Sequence, residues 1–187
     1  KFASMQIRFD HIAVLAAIAI IFTSCGKKSV DYEKMDILRL PSQAAKDFTS
    51  TYTDSGKMQL VFSAPVMERY EKSEPPYTEF KLGIDVQFHD GKTNPVASVT
   101  AKYAKLHDDK SLWELQDSVV AFNEAGEKLE TELLFWDQKK EQIYTDRFVK
   151  ITTEDQIIQG YGLESDPRLT RRKIKNLSAT IYINEDN

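Results

Sequence analysis

The sequence contains few of the residues that support disulfide or metal scaffolds. It has one cysteine in 187 residues, which excludes an internal disulfide framework and a cysteine-based metal cluster. Seven glycines and six prolines are too few for long low-complexity linkers. A net charge of -4 gives no reason to expect a nucleic-acid partner. With 41% hydrophobic and 29% charged residues, the chain has the composition of one globular domain plus an appendage.

Long apolar runs are also missing, apart from 11 residues at positions 12–22. A bilayer span needs roughly 20 residues, so this run is too short for one and suits the hydrophobic region of an export signal. The run ends at Phe22-Thr-Ser-Cys25-Gly, which resembles the processing box of bacterial lipoproteins. The resemblance implies a signal peptide at 1–24, lipidation of Cys25, and a polar tether at 25–40. The alternative is an uncleaved signal anchor with a buried free cysteine.

The second half of the chain contains a pattern that recurs about every 30 residues. Residues 117–122 (DSVVAF), 147–152 (RFVKIT) and 176–181 (NLSATI) are versions of one short strand, and 83–88 (GIDVQF) is a weaker copy. Further strands and charged turns at 107–110 and 137–140 precede the middle copies, so the repeating unit is strand, turn, strand. The pattern predicts an all-β antiparallel domain over 41–187. Residues 41–48 are the exception, and we expect a short helical or irregular entry there.

Period-two alternation assigns one face of the predicted strands to an interior, because alternate side chains point to opposite sides of a sheet. The inward set predicted in this way is Leu60, Phe62, Ile84, Val86, Phe88, Val99, Ala101, Tyr103, Trp113, Leu115, Val119, Ala121, Leu133, Phe135, Ile143, Val149 and Ile151. From alternation alone, an ordinary sandwich core and a ligand-holding interior are both consistent with this set.

The last strand and its approach carry two further hypotheses. Leu177, Ala179 and Ile181 lie on the last predicted strand, which is an edge available for pairing with a partner or an internal strand already paired on both sides. A basic cluster precedes it and serves either to attract phosphates or an acidic partner, or as a solvated loop that guards the edge. Its members are Arg168, Arg171, Arg172, Lys173 and Lys175.

Catalytic, nucleotide-binding and metal-binding patterns are poorly represented. His89 and His107 fall in predicted turns, and two scattered histidines without a cysteine pair do not form a metal centre. The sequence Gly160-Tyr-Gly162 lacks the third glycine and the helix of a nucleotide loop, so it predicts a bend or bulge. The acidic residues that could form a catalytic pair lie in charged turns, where they are usually solvated: Asp108, Asp109, Asp137 and Glu141. We expect no enzyme, cofactor or metal.

Three segments in a fixed order resemble the LptC family, the periplasmic component of the lipopolysaccharide export machinery. They are 129–137 (LETELLFWD), 143–149 (IYTDRFV) and 158–166 (IQGYGLESD), and 101–104 (AKYA) and 113–115 (WEL) fit the same pattern. The resemblance covers about residues 62–181. It implies a twisted, boat-shaped antiparallel β-jellyroll, open along one side, with lipopolysaccharide acyl chains in its apolar interior.

The resemblance also implies the partners and the location. They are lipopolysaccharide, an ATP-driven inner-membrane transporter at one end, and a periplasmic β-jellyroll bridge protein at the other. Better-known family members are held by an N-terminal transmembrane helix, whereas this chain has the lipoprotein-like Cys25, so the membrane that retains it is left open with the inner membrane favoured. The predicted function is transfer of lipid along a shared apolar trough. The alternative is a membrane-anchored β-scaffold that organises envelope partners without carrying lipid.

Overall fold

The computed structural model describes residues 40–182, which form one antiparallel β-sheet. The predicted signal peptide, Cys25 and nearly all of the tether lie outside the described residues. In the described part, no helix is long and apolar enough to cross a membrane. The strands are β1 (Gln43–Asp54), β2 (Lys57–Tyr70), β3 (Tyr77–Phe80), β4 (Ile84–Phe88), β5 (Ala97–Ala101), β6 (Tyr103–His107), β7 (Leu112–Asn123), β8 (Lys128–Asp137), β9 (Gln142–Thr152), β10 (Gln156–Ser165) and β11 (Arg172–Tyr182).

The strand order follows the chain, except that β2 and β7 each pair with two short strands on one side. β2 pairs with β1 on one side, and with β4 and β3 on the other. β7 pairs with β5 and β6 on one side and with β8 on the other, after which β9, β10 and β11 follow as hairpins. Among the described strands, β1 and β11 each have one neighbour and form the two edges of the sheet.

The sheet curls until its two halves meet through their inner faces. The rings of Phe62 on β2 and Trp113 on β7 lie 5.8 Å apart, and those of Phe88 on β4 and Trp136 on β8 lie 5.4 Å apart. Each pair is separated by three strand-to-strand steps, or about 14 Å in a flat sheet. The contacts therefore span the interior of a rolled sheet, which is consistent with the predicted β-jellyroll.

One apolar cluster fills the rolled sheet, and most β-strands contribute to it. Val149, Leu163, Leu129 and Phe80 are at most 1% exposed. Leu169, from the loop between β10 and β11, also belongs to the cluster. Because the cluster is continuous from β2 to β10, the described residues share one core.

Two predicted turns are confirmed, while the predicted irregular entry is wrong. Reversals follow β6 at 108–111 and β8 at 138–141, where charged turns are predicted at 107–110 and 137–140. Strand β1 runs from Gln43 to Asp54, so residues 43–48 are extended instead of helical or irregular. Phe48 pairs with the buried Ala64 and its ring lies 5.5 Å from that of Phe62. An edge strand buries few of its side chains, so the sequence of β1 is largely polar and does not show the apolar alternation that predicts a strand.

Candidate functional site

Most of the predicted inward set lies in the interior. The buried members are Ile84, Val86, Val99, Ala101, Trp113, Leu115, Val119, Ala121, Ile143, Val149 and Ile151. Leu60, Phe62 and Phe88 are partly buried and pack against the same cluster. Three partly exposed apolar side chains thus continue the buried core toward the surface along β2 and β4.

The interior assignment is wrong for Tyr103, which lies on the outer face. Its hydroxyl donates a hydrogen bond to Glu79 Oε1 at 2.6 Å, while the neighbouring Ala104 is buried in the core. The alternation that runs through β5 is interrupted at Lys102, whose N–H binds the carbonyl oxygen of Asp117 at 3.0 Å. The break shifts the inward face by one residue in β6.

The interior assignment is also wrong for Phe135 and Leu133. Leu134 is 2% exposed, and Trp136 packs against the core, whereas Phe135 stacks on Tyr144 on the outer face with ring centroids 5.2 Å apart. The pairing of β8 with β7 and β9 shifts between Thr131 and Phe135. A β-bulge of this kind moves the inward face from one set of alternate residues to the other.

Some interior residues were missed from sequence. Leu134 and Trp136 could have been found only by recognising the bulge, and the run Leu133-Leu-Phe-Trp136 was its one signal, since both faces read as apolar. Leu163 follows Gly162, which has φ +76°, and Leu169 lies in a loop outside any alternation. These positions depend on local backbone geometry that alternation does not encode.

The interior is nearly filled by its own side chains. A cavity of about 20 Å³ remains between Phe88, Leu115, Trp136 and Leu169. A groove of about 780 Å³ opens beside it, and Leu60, Phe88 and Trp136 bring apolar surface to its floor. Phe88, Trp136 and Pro167 line both spaces, so the loop that carries Pro167 and Leu169 stands between the buried cavity and the open groove.

This loop, residues 166–171, and the first residue of β11 are each joined to a distant turn by an ion pair. The Arg168 guanidinium donates to both carboxylate oxygens of Asp90, with nitrogen-to-oxygen distances of 3.0 and 3.2 Å. Just after the loop, Arg172 makes the same two-pronged contact with Glu127, with Nη2 2.8 Å from Oε1. The pair lowers the pKa of Glu127 and raises that of Arg172, because each hydrogen bond favours the charged forms.

The predicted docking edge is an edge strand in the structure. β11 pairs with β10 alone among the described strands, and Leu177 and Ile181 are more than half exposed. A register shift between Gln159 and Gly160 breaks the alternation, so Leu177 is opposite Gly160 while Ala179 is opposite Gln159. The three residues therefore do not share one face, although all of them lie on the free edge.

Asp108 and Asp137, considered for a catalytic pair, and the two histidines, considered for a metal, each have a separate structural partner. Asp108 accepts a hydrogen bond from Thr78 at 3.3 Å and lies 3.4 Å from Arg69, and Asp137 lies 3.0 Å from Lys140. His89 is buried beside the carbonyl oxygen of Lys92, and His107 lies 3.0 Å from Glu114. Among the described residues, no group of three or more histidine, cysteine or acidic side chains could hold a metal ion.

The glycine pair in β10 has the bend-forming role predicted for it. Gly162 has φ +76°, and the pairing with β9 shifts between Tyr161 and Leu163. A Cβ atom at Gly160 would lie 2.5 Å from the carbonyl oxygen of Asn176 and 2.6 Å from Cγ2 of Ile174. Both positions are bulges in a strand, and no nucleotide loop is present in the described residues.

Comparison with known proteins assigns the chain to a family. The family model described as LptC, lipopolysaccharide-assembly, LptC-related, matches residues 12–182, which is most of the chain. The chain belongs to the LptC family. No curated protein matches it significantly. Members of the LptC family take part in lipopolysaccharide transport, together with the Lpt transporter, on the periplasmic side of the inner membrane. The family is a family of transport components, not of enzymes.

Proposed function

We propose that this LptC-family protein binds lipopolysaccharide acyl chains in its rolled sheet and passes them from the inner-membrane transporter to a periplasmic bridge protein. The observation that carries the proposal is the continuity of the apolar cluster with the open groove. Leu60, Phe88 and Trp136 belong to both, so a chain lying in the groove meets apolar surface that leads into the core.

Burial energies explain why a transport protein needs such a path. Each methylene group exposed to water costs about 0.8 kcal/mol, so a lipid with several acyl chains crosses the periplasm only if its chains stay covered. An interior of aliphatic and aromatic groups covers them without fixed hydrogen-bond geometry, which allows the chains to slide onward. The cavity of about 20 Å³ is too small for an acyl chain, so binding requires the interior to widen.

The two edges of the sheet support a direction for the transfer. Among the described residues, the outer side of β11 is unpaired, and Leu177 and Ile181 are exposed, which suits strand addition by the bridge protein. β1 is the other edge and comes directly after the N-terminal segment in which Cys25 is the expected lipid anchor. An anchored N-terminus favours docking of β1 to the periplasmic part of the transporter, in line with the sheet continuing through all three proteins.

Site-specific photocrosslinking in cells tests lipid binding. A photoreactive phenylalanine analogue replaces Phe62 or Phe88, which face the interior and are partly exposed, and matched controls replace Phe135 or Phe148 on the outer face. We expect lipopolysaccharide adducts at the two inner positions only, because only these lie beside the acyl chains. Equal yields at all four positions, or none with normal expression, would contradict the proposal and favour the scaffold alternative.

The anchor is tested separately. Replacement of Cys25 by serine removes the expected site of lipidation, and because cleavage at a lipoprotein box requires that cysteine, the variant should accumulate as the precursor that keeps residues 1–24. Intact-mass measurement of the wild-type protein should show acyl groups on an N-terminal Cys25. Retention of residues 1–24 in the mature protein would favour the uncleaved signal anchor.

A further inference from the structure

We propose that the β10–β11 loop, residues 166–171, is a gate over the interior, and that Arg168 in the loop and Arg172 at its base exchange their carboxylate partners for an anionic group of the incoming lipid. This inference rests on the proposed function, since it names the device that admits the acyl chains and the residues that meet the charged head. Arg168 and Arg172 become the anion-binding residues when the gate is open. The ligand class is a phosphorylated amphiphile with several acyl chains.

The loop occupies the place where an acyl chain would enter. Leu169 is 4% exposed and lines the small buried cavity together with Phe88 and Trp136. Pro167 lines both this cavity and the open groove. If the loop moves outward, the space left by Leu169 joins the cavity to the groove, and the joined space is lined by apolar side chains.

The backbone of the loop stores strain in the closed position. Leu169 has φ +58°, in the left-handed region that a branched residue adopts at a cost in energy. Burial of its side chain offsets that cost. An acyl chain that takes over the buried contacts therefore also lets the backbone relax, which favours exchange of one aliphatic group for another.

The loop is organised internally and can move as one piece. Asp166 accepts hydrogen bonds from Thr170 Oγ1 at 2.6 Å and from the Arg171 N–H at 2.7 Å, and its carbonyl oxygen accepts one from the Leu169 N–H at 3.0 Å. These bonds stay intact if the loop swings about its ends. The loop is held to the rest of the fold by the Leu169 contacts and by the ion pair of Arg168 with Asp90, and the ion pair of Arg172 with Glu127 lies at its base in β11.

In both arginine–carboxylate pairs, a phosphate group can take the place of the carboxylate. A guanidinium group binds carboxylates and phosphates through the same two-pronged geometry. Asp90 and Glu127 lie in the turns after β4 and β7, so they remain behind when the loop moves. Arg168 moves with the loop, whereas Arg172 stays in β11 opposite Ser165 and exchanges its partner by a change of side-chain conformation. Arg171 and Lys173 line the same pocket as Arg172 and add two positive charges there.

Trypsin cleavage of the loop in the purified full chain tests the gate, because Arg168, Arg171, Arg172 and Lys173 are all trypsin sites. The probes are a bis-phosphorylated multi-acyl glycolipid in detergent, the same lipid without phosphates, and inorganic phosphate in detergent alone. We expect the phosphorylated lipid to raise the cleavage rate at 168–173 about tenfold, with little change at Lys150 in β9, a site that reports global unfolding. Equal acceleration by the phosphate-free lipid, or by inorganic phosphate, would overturn the exchange.

Carboxylate variants provide the matched comparison, since they leave every trypsin site in place. Asp90→Asn together with Glu127→Gln should raise loop cleavage without lipid to about the rate seen with the phosphorylated lipid. Glu164→Gln, which removes the 2.8 Å contact with Lys175 in the same hairpin but not on the loop, should leave loop cleavage unchanged.

Photocrosslinking at Phe88 in the same samples distinguishes failure of the loop gate from failure of the proposed lipid binding. Lipid adducts without faster loop cleavage would overturn the gate and leave the proposed function standing. Absence of adducts in wild-type protein, with the lipid present, would count against the proposed function itself. The double variant should form adducts at least as fast as the wild type, and slower adduct formation would overturn the gate.

Discussion

The middle strands and the edge strand β11 are built from the same alternating pattern, but their apolar residues have different surroundings. Leu129 in β8 and Val149 in β9 are 1% and 0% exposed, whereas Leu177 and Ile181 in β11 are 62% and 51% exposed. The middle strands are paired on both sides and covered by the opposite half of the rolled sheet. The difference indicates that apolar residues of the middle strands stabilise the fold, while those of the edge are available to a partner.

The same substitution in the two regions gives the largest contrast. Leu129→Ala removes a fully buried side chain and should lower the free energy of unfolding by about 2–5 kcal/mol, since it loses burial and leaves a cavity. Leu177→Ala removes an exposed side chain and should change it by about 0.5 kcal/mol or less. Urea unfolding of both variants checks this, and similar losses in the two would refute the division.

A glycine at the border of the two regions tests how closely the edge strand is fitted to the core. Gly160→Ala places a methyl group 2.5 Å from a backbone oxygen of β11, which cannot move without shifting the strand. We expect a loss of about 1–3 kcal/mol in the free energy of unfolding, as for other overpacked sites.

The control for that substitution is Gly126→Asn in the turn after β7. A Cβ atom there meets no atom within 4 Å, and asparagine tolerates the φ of +77°. The control should remain close to wild type in urea unfolding. If Gly160→Ala is equally stable, the close approach of β10 and β11 does not constrain the edge.

The sequence predicted the fold where the alternation is unbroken and failed where the backbone departs from it. Val86, Leu115 and Val149 follow strict alternation and are buried as predicted. Tyr103 and Phe135 come after a strand break and a bulge, which reverse the inward face without changing the composition of the strand. Such irregularities depend on the pairing of neighbouring strands, which a single strand sequence does not contain.

The edges and the loop were predictable to different degrees. β11 reads as a strand because Leu177, Ala179 and Ile181 alternate with polar residues, whereas residues 43–48 of β1 have no such series and predict an irregular entry. The basic cluster was visible in the sequence, but its ion pairs were not, because Asp90 lies 78 residues from Arg168 and Glu127 lies 45 residues from Arg172. Contacts of that range follow from the curl of the sheet.

Proline scanning of β11 tests whether the edge binds a partner. Consecutive residues of a strand direct their N–H groups to opposite sides, so Ala179→Pro and Thr180→Pro remove one donor facing β10 and one facing the free edge. The variant that keeps wild-type stability should bind the purified bridge protein about tenfold more weakly, a loss of about 1.4 kcal/mol.

The other proline variant should be less stable, because it breaks a bond to β10. Circular dichroism melting identifies which variant is which, and binding is then measured on the stable one. Wild-type affinity in that variant would contradict strand addition at β11 and leave the other edge, β1, as the place to look for partners.

The smallest expected effect concerns Tyr103, which lies on the outer face although its neighbour Ala104 is buried in the core. Burial, together with the hydrogen bond to Glu79, raises the pKa of Tyr103. A pKa that is higher in the folded state than in the unfolded chain means that this stabilisation is complete below about pH 10 and is lost as the pH rises toward the folded-state pKa.

Tyr103→Phe should lower the free energy of unfolding by about 1 kcal/mol at pH 8 and by less at pH 11. Urea unfolding of both proteins at the two pH values measures the difference, with Tyr182→Phe, an exposed residue at the end of β11, as the control. If phenylalanine at position 103 raised the stability at pH 8, as an apolar residue does inside a core, the outer-face position of Tyr103 would be wrong.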